Sequence, residues 1–209
     1  MSMRTYSIGA AGFIAAVLGG LAWLAFGPSG GSDQYAQCRE TVMQGGLESI
    51  GGAFELVNAQ GQTVTDTDVI TLPSIVYFGY TFCPDVCPLD NARNALATEI
   101  LESGGHIVQP VFISIDPRRD TPEVVGEFAS IFHPRMIGLT GTEEQVQAAS
   151  RAYRTFFSAQ NTGDEYYLID HSTFSYLVFP GEGTVEVFRH DTPAEDVARR
   201  TQCFMENRG

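Results

Sequence analysis

The sequence predicts an α/β sandwich, with a central mixed sheet, flanking helices and an N-terminal β-hairpin, preceded by one transmembrane helix. Three observations predict it. Two unbroken apolar runs, SIVYFGY (74–80) and HIVQPVFISID (106–116), are each followed by a helix pattern, as parallel strands with crossover helices require. Hairpin patterns stand on both sides of that βαβα unit, at 53–65 and 166–188. The 21 residues from Tyr6 to Phe26 carry no charge. A βαβ core joined to antiparallel pairs is the order of a thioredoxin-like fold.

The apolar run comes first. A helix of its 21 residues spans ~31 Å, about one hydrocarbon core. Arg4 and the α-amino group flank its start, so the positive-inside rule keeps the N-terminus in the cytoplasm or matrix and exports the rest. A cleaved signal peptide is the competing reading. The run exceeds the ~7–15 apolar residues usual there. Its best small-x-small site, Ala25-Phe26-Gly27, meets Pro28 directly, and Cys38 follows Tyr-Ala-Gln rather than a lipoprotein processing site. The expected organisation is a cytoplasmic start and anchor over residues 1–27, a tether and short N-terminal segment over 28–50, and the thioredoxin-like domain over 51–209. The expected location is the inner membrane, with the domain in the periplasm, or in the mitochondrial intermembrane space of a eukaryote.

Beyond the tether, residues 35–50 read as a short helix. AFELVNAQGQTVT (53–65) alternates around an Asn58–Gly61 turn. SIVYFGY is a central strand, after which Pro88 opens a helix as its first residue. The second apolar strand leads to DTPEVVGEFASIF (120–132), whose Thr121-Pro122-Glu123 is a helix start. RMIGLT is a strand and GTEEQVQAASRAYRTFF a helix. YYLIDHSTFSYLVFP holds two strands around a turn at Asp170–Ser172. GEGTVEVF returns as a strand and TPAEDVARRTQCFM (192–205) is the last helix.

The net charge is −13, and every basic side chain is arginine. Beyond residue 32 lie 11 arginines and all 25 acidic residues, a balance of −14. Such a domain has no cationic face for nucleic acid.

The chemistry concentrates in FGYTFCPDVCP (78–88). Cys83 and Cys87 are each followed by proline, which biases the preceding residue towards extended backbone. The stretch reads as a stiff loop holding two sulfurs at the carboxyl end of a central strand, where open α/β sheets place their sites. Four readings compete: a structural disulfide, a thiol–disulfide redox pair, half of a metal site, and a peroxidase-like nucleophile. The redox reading gains from a helix start at Cys87, which favours thiolate, and loses from the C-x₃-C spacing. The peroxidase reading lacks an arginine beside the pair. The metal reading needs further ligands. His106, His133 and His190 read as surface or capping residues, whereas His171 sits in YLIDHST, a polar interruption between apolar strands. Two thiolates and an imidazole form a soft set that suits Cu(I), or Cu(II) with an added ligand. Structural zinc would want a fourth protein ligand, which is not evident.

Three segments, YFGYTFCPDVCP (77–88), ISIDPRRDTPE (113–123) and YLIDHST (167–173), resemble the signature segments of the SCO/SenC family. These are membrane-anchored, thioredoxin-fold copper chaperones of cytochrome c oxidase assembly. The resemblance runs over roughly residues 50–205, and the DHS segment lies 84 residues beyond Cys87. It implies that Cys83, Cys87 and His171 are ligands for Cu(I) and Cu(II), and that Asp85, Asp116 and Asp170 support the site. It implies a copper-bearing subunit of cytochrome c oxidase as partner, with other periplasmic copper chaperones or thioredoxin-like reductants as further ones. The chain would be a carrier rather than an enzyme. The alternatives are a thiol–disulfide reductase acting through Cys83 and Cys87, which keeps the oxidase's copper-ligand cysteines reduced, and a redox or copper sensor. One departure is Leu72-Pro73-Ser74, where family members often carry Gly-Lys.

Cys38 and Cys203 lie outside these segments. In an exported protein two leftover cysteines invite a disulfide that clamps the N-terminal segment to the last helix. Extra copper or redox capacity is the alternative.

Overall fold

The computed structural model describes residues 17, 19–20, 34–39, 47–160, 163 and 166–208. The chain divides into two units, Met1–Ala36 and Gln37–Gly209. In the first, Val17, Gly19 and Gly20 are helical; the rest of the expected anchor lies outside the described residues. No helix among the described residues is long and apolar enough to cross a membrane.

The second unit begins with a 3₁₀ turn at Leu47–Ser49; residues 40–46 of the expected short helix lie outside the described residues. Strands β1 (Glu55–Asn58) and β2 (Thr63–Thr65) form the hairpin, turning where Asn58 Oδ1 accepts from the backbone N–H groups of Gln60 and Gln62. A short helix, α1 (Asp66–Val69), follows; nothing in the sequence reading anticipated it.

β3 (Ser74–Gly79) leads to α2 (Val86–Ser103), and β4 (Gln109–Ser114) to α3 (Pro122–Phe132). β5 (Ile137–Thr140) leads to α4 (Glu143–Ala152). β6 (Phe157–Ala159), β7 (Ile169–His171), β8 (Ser175–Phe179), β9 (Gly183–Phe188) and α5 (Ala194–Glu206) complete the chain. Among the described residues, the main sheet has the order β2-β1-β5-β4-β3-β8-β9. β3, β4 and β5 are parallel, and the outer pairs are antiparallel. This is the mixed sheet and thioredoxin-like order expected from the sequence.

Every residue of β3 is buried, as an unbroken apolar run between two helical layers must be. Burying Ile75, Val76 and Phe78 contributes ~1.5–3 kcal/mol each, so the strand that leads to Cys83 is fixed by the core. Cys38 and Cys203 are joined by a disulfide, with Cα atoms 5.7 Å apart, which ties the segment after the tether to α5.

Two boundaries differ from the sequence reading, and both concern the site. The helix expected through Phe157 ends at Ala152, because Arg154 takes a left-handed φ of 51°. The residues after it become β6, which pairs with β7 as a ribbon apart from the main sheet. Asp170 and His171 therefore lie in a strand rather than in a turn.

Candidate metal centre

The first part of the site is the loop between β3 and α2. α2 opens at Val86, two residues before the expected start at Pro88. Pro88 is the third helical residue, where the N–H has no intrahelical partner in any case, so the proline costs no hydrogen bond. Asp85 holds the N-cap position, but its exposed side chain makes no capping bond. The Cys83 sulfur does so instead: it accepts from the Cys87 backbone N–H at 3.4 Å. A sulfur thus stands where a capping serine or aspartate oxygen usually does, at the positive end of the helix.

Asp120, 1 % exposed, is the strut beneath this loop. Its Oδ2 accepts from the Thr81 backbone N–H at 3.0 Å and from Ser114 Oγ at 2.5 Å, and its Oδ1 accepts from Thr81 Oγ1 at 2.5 Å. The loop is thereby tied to the end of β4. Asn91 Nδ2 donates to the Cys87 carbonyl at 2.8 Å and braces the other side.

His171 arrives by a different route. β8 pairs antiparallel with β3, Ser175 opposite Tyr77, so the residues preceding Ser175 emerge beyond the end of β3, over the cysteine loop. His171 Nδ1 donates to the Ser172 carbonyl at 2.8 Å, which leaves Nε2 as the bare nitrogen. That Nε2 lies 3.3 Å from Cys87 Sγ, and the Cys83, Cys87 and His171 donor atoms all fall within 4.8 Å of one another. Donors each ~2.0–2.3 Å from a shared ion are separated by about that much. The edges of Tyr77 and Tyr80 close in on the imidazole, with centroids at 6.3 and 5.9 Å. Tyr80 Oη also accepts from the Ile169 backbone N–H at 3.3 Å, pinning β7 to the loop. Gly79 is a requirement of this packing: a Cβ there would lie 2.8 Å from Tyr77 Cε1 and 2.9 Å from Cys87 Sγ.

The two thiols are not equivalent. A hydrogen bond from the Cys87 thiol, with lesser help from His171 and the Asp85 and Cys87 backbone, brings Cys83 down to about 3 against the cost of burial. Cys87 is pushed upward, first by sharing its proton with Cys83 and then by burial. The proton that the two sulfurs share is drawn towards Cys87. Cys83 is 9 % exposed and Cys87 not at all, so the thiolate is also the sulfur that solvent can reach.

The aspartates differ in what they touch. Asp116, buried, accepts from Tyr167 Oη and Arg119 Nε, both at 2.5 Å. The Arg119 guanidinium lies over Tyr167 at 3.7 Å and Phe82 at 5.0 Å, so Asp116 holds a cation that spans the cysteine loop and the segment before β7. Asp170 accepts from Gln160 Nε2 across the β6–β7 ribbon, and its side chain is exposed. Of the other histidines, His133 caps α3 and faces Glu102, His190 is paired with Asp90, and His106 faces Glu206; none joins the cluster. Asp120, Tyr77, Tyr80 and Arg119 were not singled out in the sequence, although all four lie inside or beside its quoted segments.

A family model described as SCO1/SenC matches residues 42–206. The chain belongs to the SCO1/SenC family. Its relatives include Protein SenC of Rhodobacter capsulatus, 45 % identical over 206 residues, covering 99 % of this chain and 92 % of that protein. Protein sco1 of Schizosaccharomyces pombe is 39 % identical over 167 residues, 78 % of this chain and 64 % of that protein. Among solved structures, Arabidopsis thaliana ScoI with copper bound is 36 % identical with a TM-score of 0.70, covering 75 % of this chain and 99 % of that one. Yeast Sco1 with copper bound is 36 % identical with a TM-score of 0.71, covering 77 % of this chain and 91 % of that one. SCO1/SenC membership therefore accounts for the domain as a whole.

Proposed function

We propose that this chain is a copper metallochaperone that takes its ion on Cys83, Cys87 and His171 and delivers it to the copper-bearing subunit of cytochrome c oxidase. The observation that carries the reading is the convergence of two thiols and a bare imidazole nitrogen within 4.8 Å. Two relatives of the same fold have been solved with copper bound. The soft sulfur donors suit Cu(I), and the imidazole supports Cu(II) as well.

Capture begins at Cys83, already a thiolate and partly reachable. Cys87 then gives up its proton to solvent as its sulfur binds, and His171 Nε2 completes the set. Delivery is the reverse by ligand exchange, the partner's donors replacing these one at a time. The N-terminal run would hold the acidic domain at the membrane, on the exported side, where the oxidase subunit presents its copper site. Asp116 supports the site by holding Arg119 across its two halves; Asp85 does so through its backbone N–H to Cys83.

A second reading rests on the same pair. The Cys83 thiolate can attack a partner's disulfide, expelling one partner sulfur as thiolate; Cys87 passes its proton to that thiolate, attacks Cys83 and releases the second partner sulfur as thiolate. Two electrons pass to the partner and a Cys83–Cys87 disulfide remains. This reaction does not need His171.

Copper titration of the full chain, followed by absorption and EPR, tests the proposal. Strong thiolate-to-Cu(II) charge transfer, lost in Cys83→Ser and altered in His171→Ala, supports the chaperone reading. Wild-type affinity in His171→Ala for both copper states removes it and leaves dithiol chemistry.

A further inference from the structure

Tyr77 stands on β3, two residues before the strand ends, and is wholly buried. Its ring edge and the Cys87 sulfur share the space over Gly79, and the same ring meets His171 edge-on. The Cys87 thiol and the Asp90 carboxylate both act on its hydroxyl. Yet the hydroxyl meets neither of them in good hydrogen-bond geometry in this state, and Asp90 Oδ2, also buried, has no well-placed partner either. The other carboxylate oxygen, Oδ1, is engaged from two sides, by His190 Nδ1 at 2.9 Å and Arg93 Nη2 at 3.4 Å.

A buried hydroxyl without a partner costs free energy, and phenylalanine would fill the same volume without that cost. The oxygen therefore needs an acceptor that another state of the site supplies. A thiol sulfur is a poor acceptor; a metal-bound thiolate is a good one. We propose that Tyr77 is a further site residue, whose hydroxyl donates a hydrogen bond to the Cys87 sulfur when that sulfur binds the ion. Asp90, braced by His190 and Arg93, is the competing acceptor on α2. The assignment rests on the reading of Cys87 as a copper ligand.

Tyr77→Phe in the full chain tests it, because only the oxygen is removed. Copper affinity falls about tenfold, the scale of one hydrogen bond to a charged group. The thiolate-to-Cu(II) band moves to longer wavelength, since the sulfur loses a donor that lowered its orbitals. The melting temperature of the copper-free protein stays level or rises, because an unsatisfied hydroxyl has gone. Unchanged affinity and an unchanged band would overturn the assignment. So would a lowered melting temperature with an unchanged band, which would make the hydroxyl a structural partner of Asp90. If the unsubstituted chain binds no copper, the functional reading falls and this one with it; if it does bind and Tyr77→Phe matches it, only the role of Tyr77 falls.

Discussion

The cysteine loop and the histidine strand meet at one point but are held in very different ways. The loop hangs from β3, whose six residues are all buried, and is tied down by Asp120, Asn91 and the first turn of α2. His171 rides on a two-stranded ribbon outside the main sheet, half-buried, joined to the loop through Tyr80 and through Arg119 on Asp116. On the proposed copper reading the difference would give each half a task. The buried pair would set the basic affinity for a soft ion. The more accessible imidazole would select the copper state and be the ligand that a partner reaches first.

The largest effect expected from this division is in the loop. Cys87→Ser abolishes copper binding in both oxidation states, read by titration against a competing chelator; retained binding would break the division at once. Next is His171→Ala. It should lower Cu(II) affinity by more than the ~10–100-fold typical of a supporting residue, and Cu(I) affinity by less. Equal losses in the two states would show that the histidine does not select. Asp120→Ala comes third: it strips three hydrogen bonds from beneath the loop and costs about 2–3 kcal/mol in denaturant unfolding, with copper weakened in consequence.

Protonation sharpens the contrast within the pair. Cys83 sits near 3 and Cys87 above its usual range, so in between one thiol proton is bound and one is lost on capture. Copper affinity should therefore rise about tenfold per pH unit from about pH 7.5 to 8.5, above the range where a free imidazole takes up a proton, the slope for one released proton. A slope of two there would mean that Cys83 is also protonated. In the copper-free protein, iodoacetamide should label Cys83 at pH 5 and leave Cys87 unlabelled. Smallest of all is the effect on copper of replacing the distant Cys38 by serine: affinity is unchanged. Stability still falls, up to the ~4–5 kcal/mol that chain entropy assigns to so long a loop.

The two regions also differ in how much of them the sequence disclosed. β3 was legible because a strand buried on both faces must be continuously apolar, and the two prolines marked the loop after it. The cluster of Cys83, Cys87 and His171 was legible through residue type and motif. The ribbon was not. Residues 153–157 continue the amphipathic pattern of α4, and only the left-handed φ of Arg154 ends the helix; a non-glycine residue gives no local sign of that. The start of α2 was misplaced because proline at the first helical position is the common case, and here it is the third. Asp120 was passed over because its partners, Thr81 and Ser114, lie in other elements, and pairing in space leaves no mark in one sequence.

X-ray absorption at the copper edge of the loaded full chain tests the central claim most directly. Two sulfur donors and one imidazole nitrogen are expected for both copper states, the nitrogen contribution vanishing in His171→Ala. A shell of sulfur alone, or a nitrogen that persists in that variant, would contradict it.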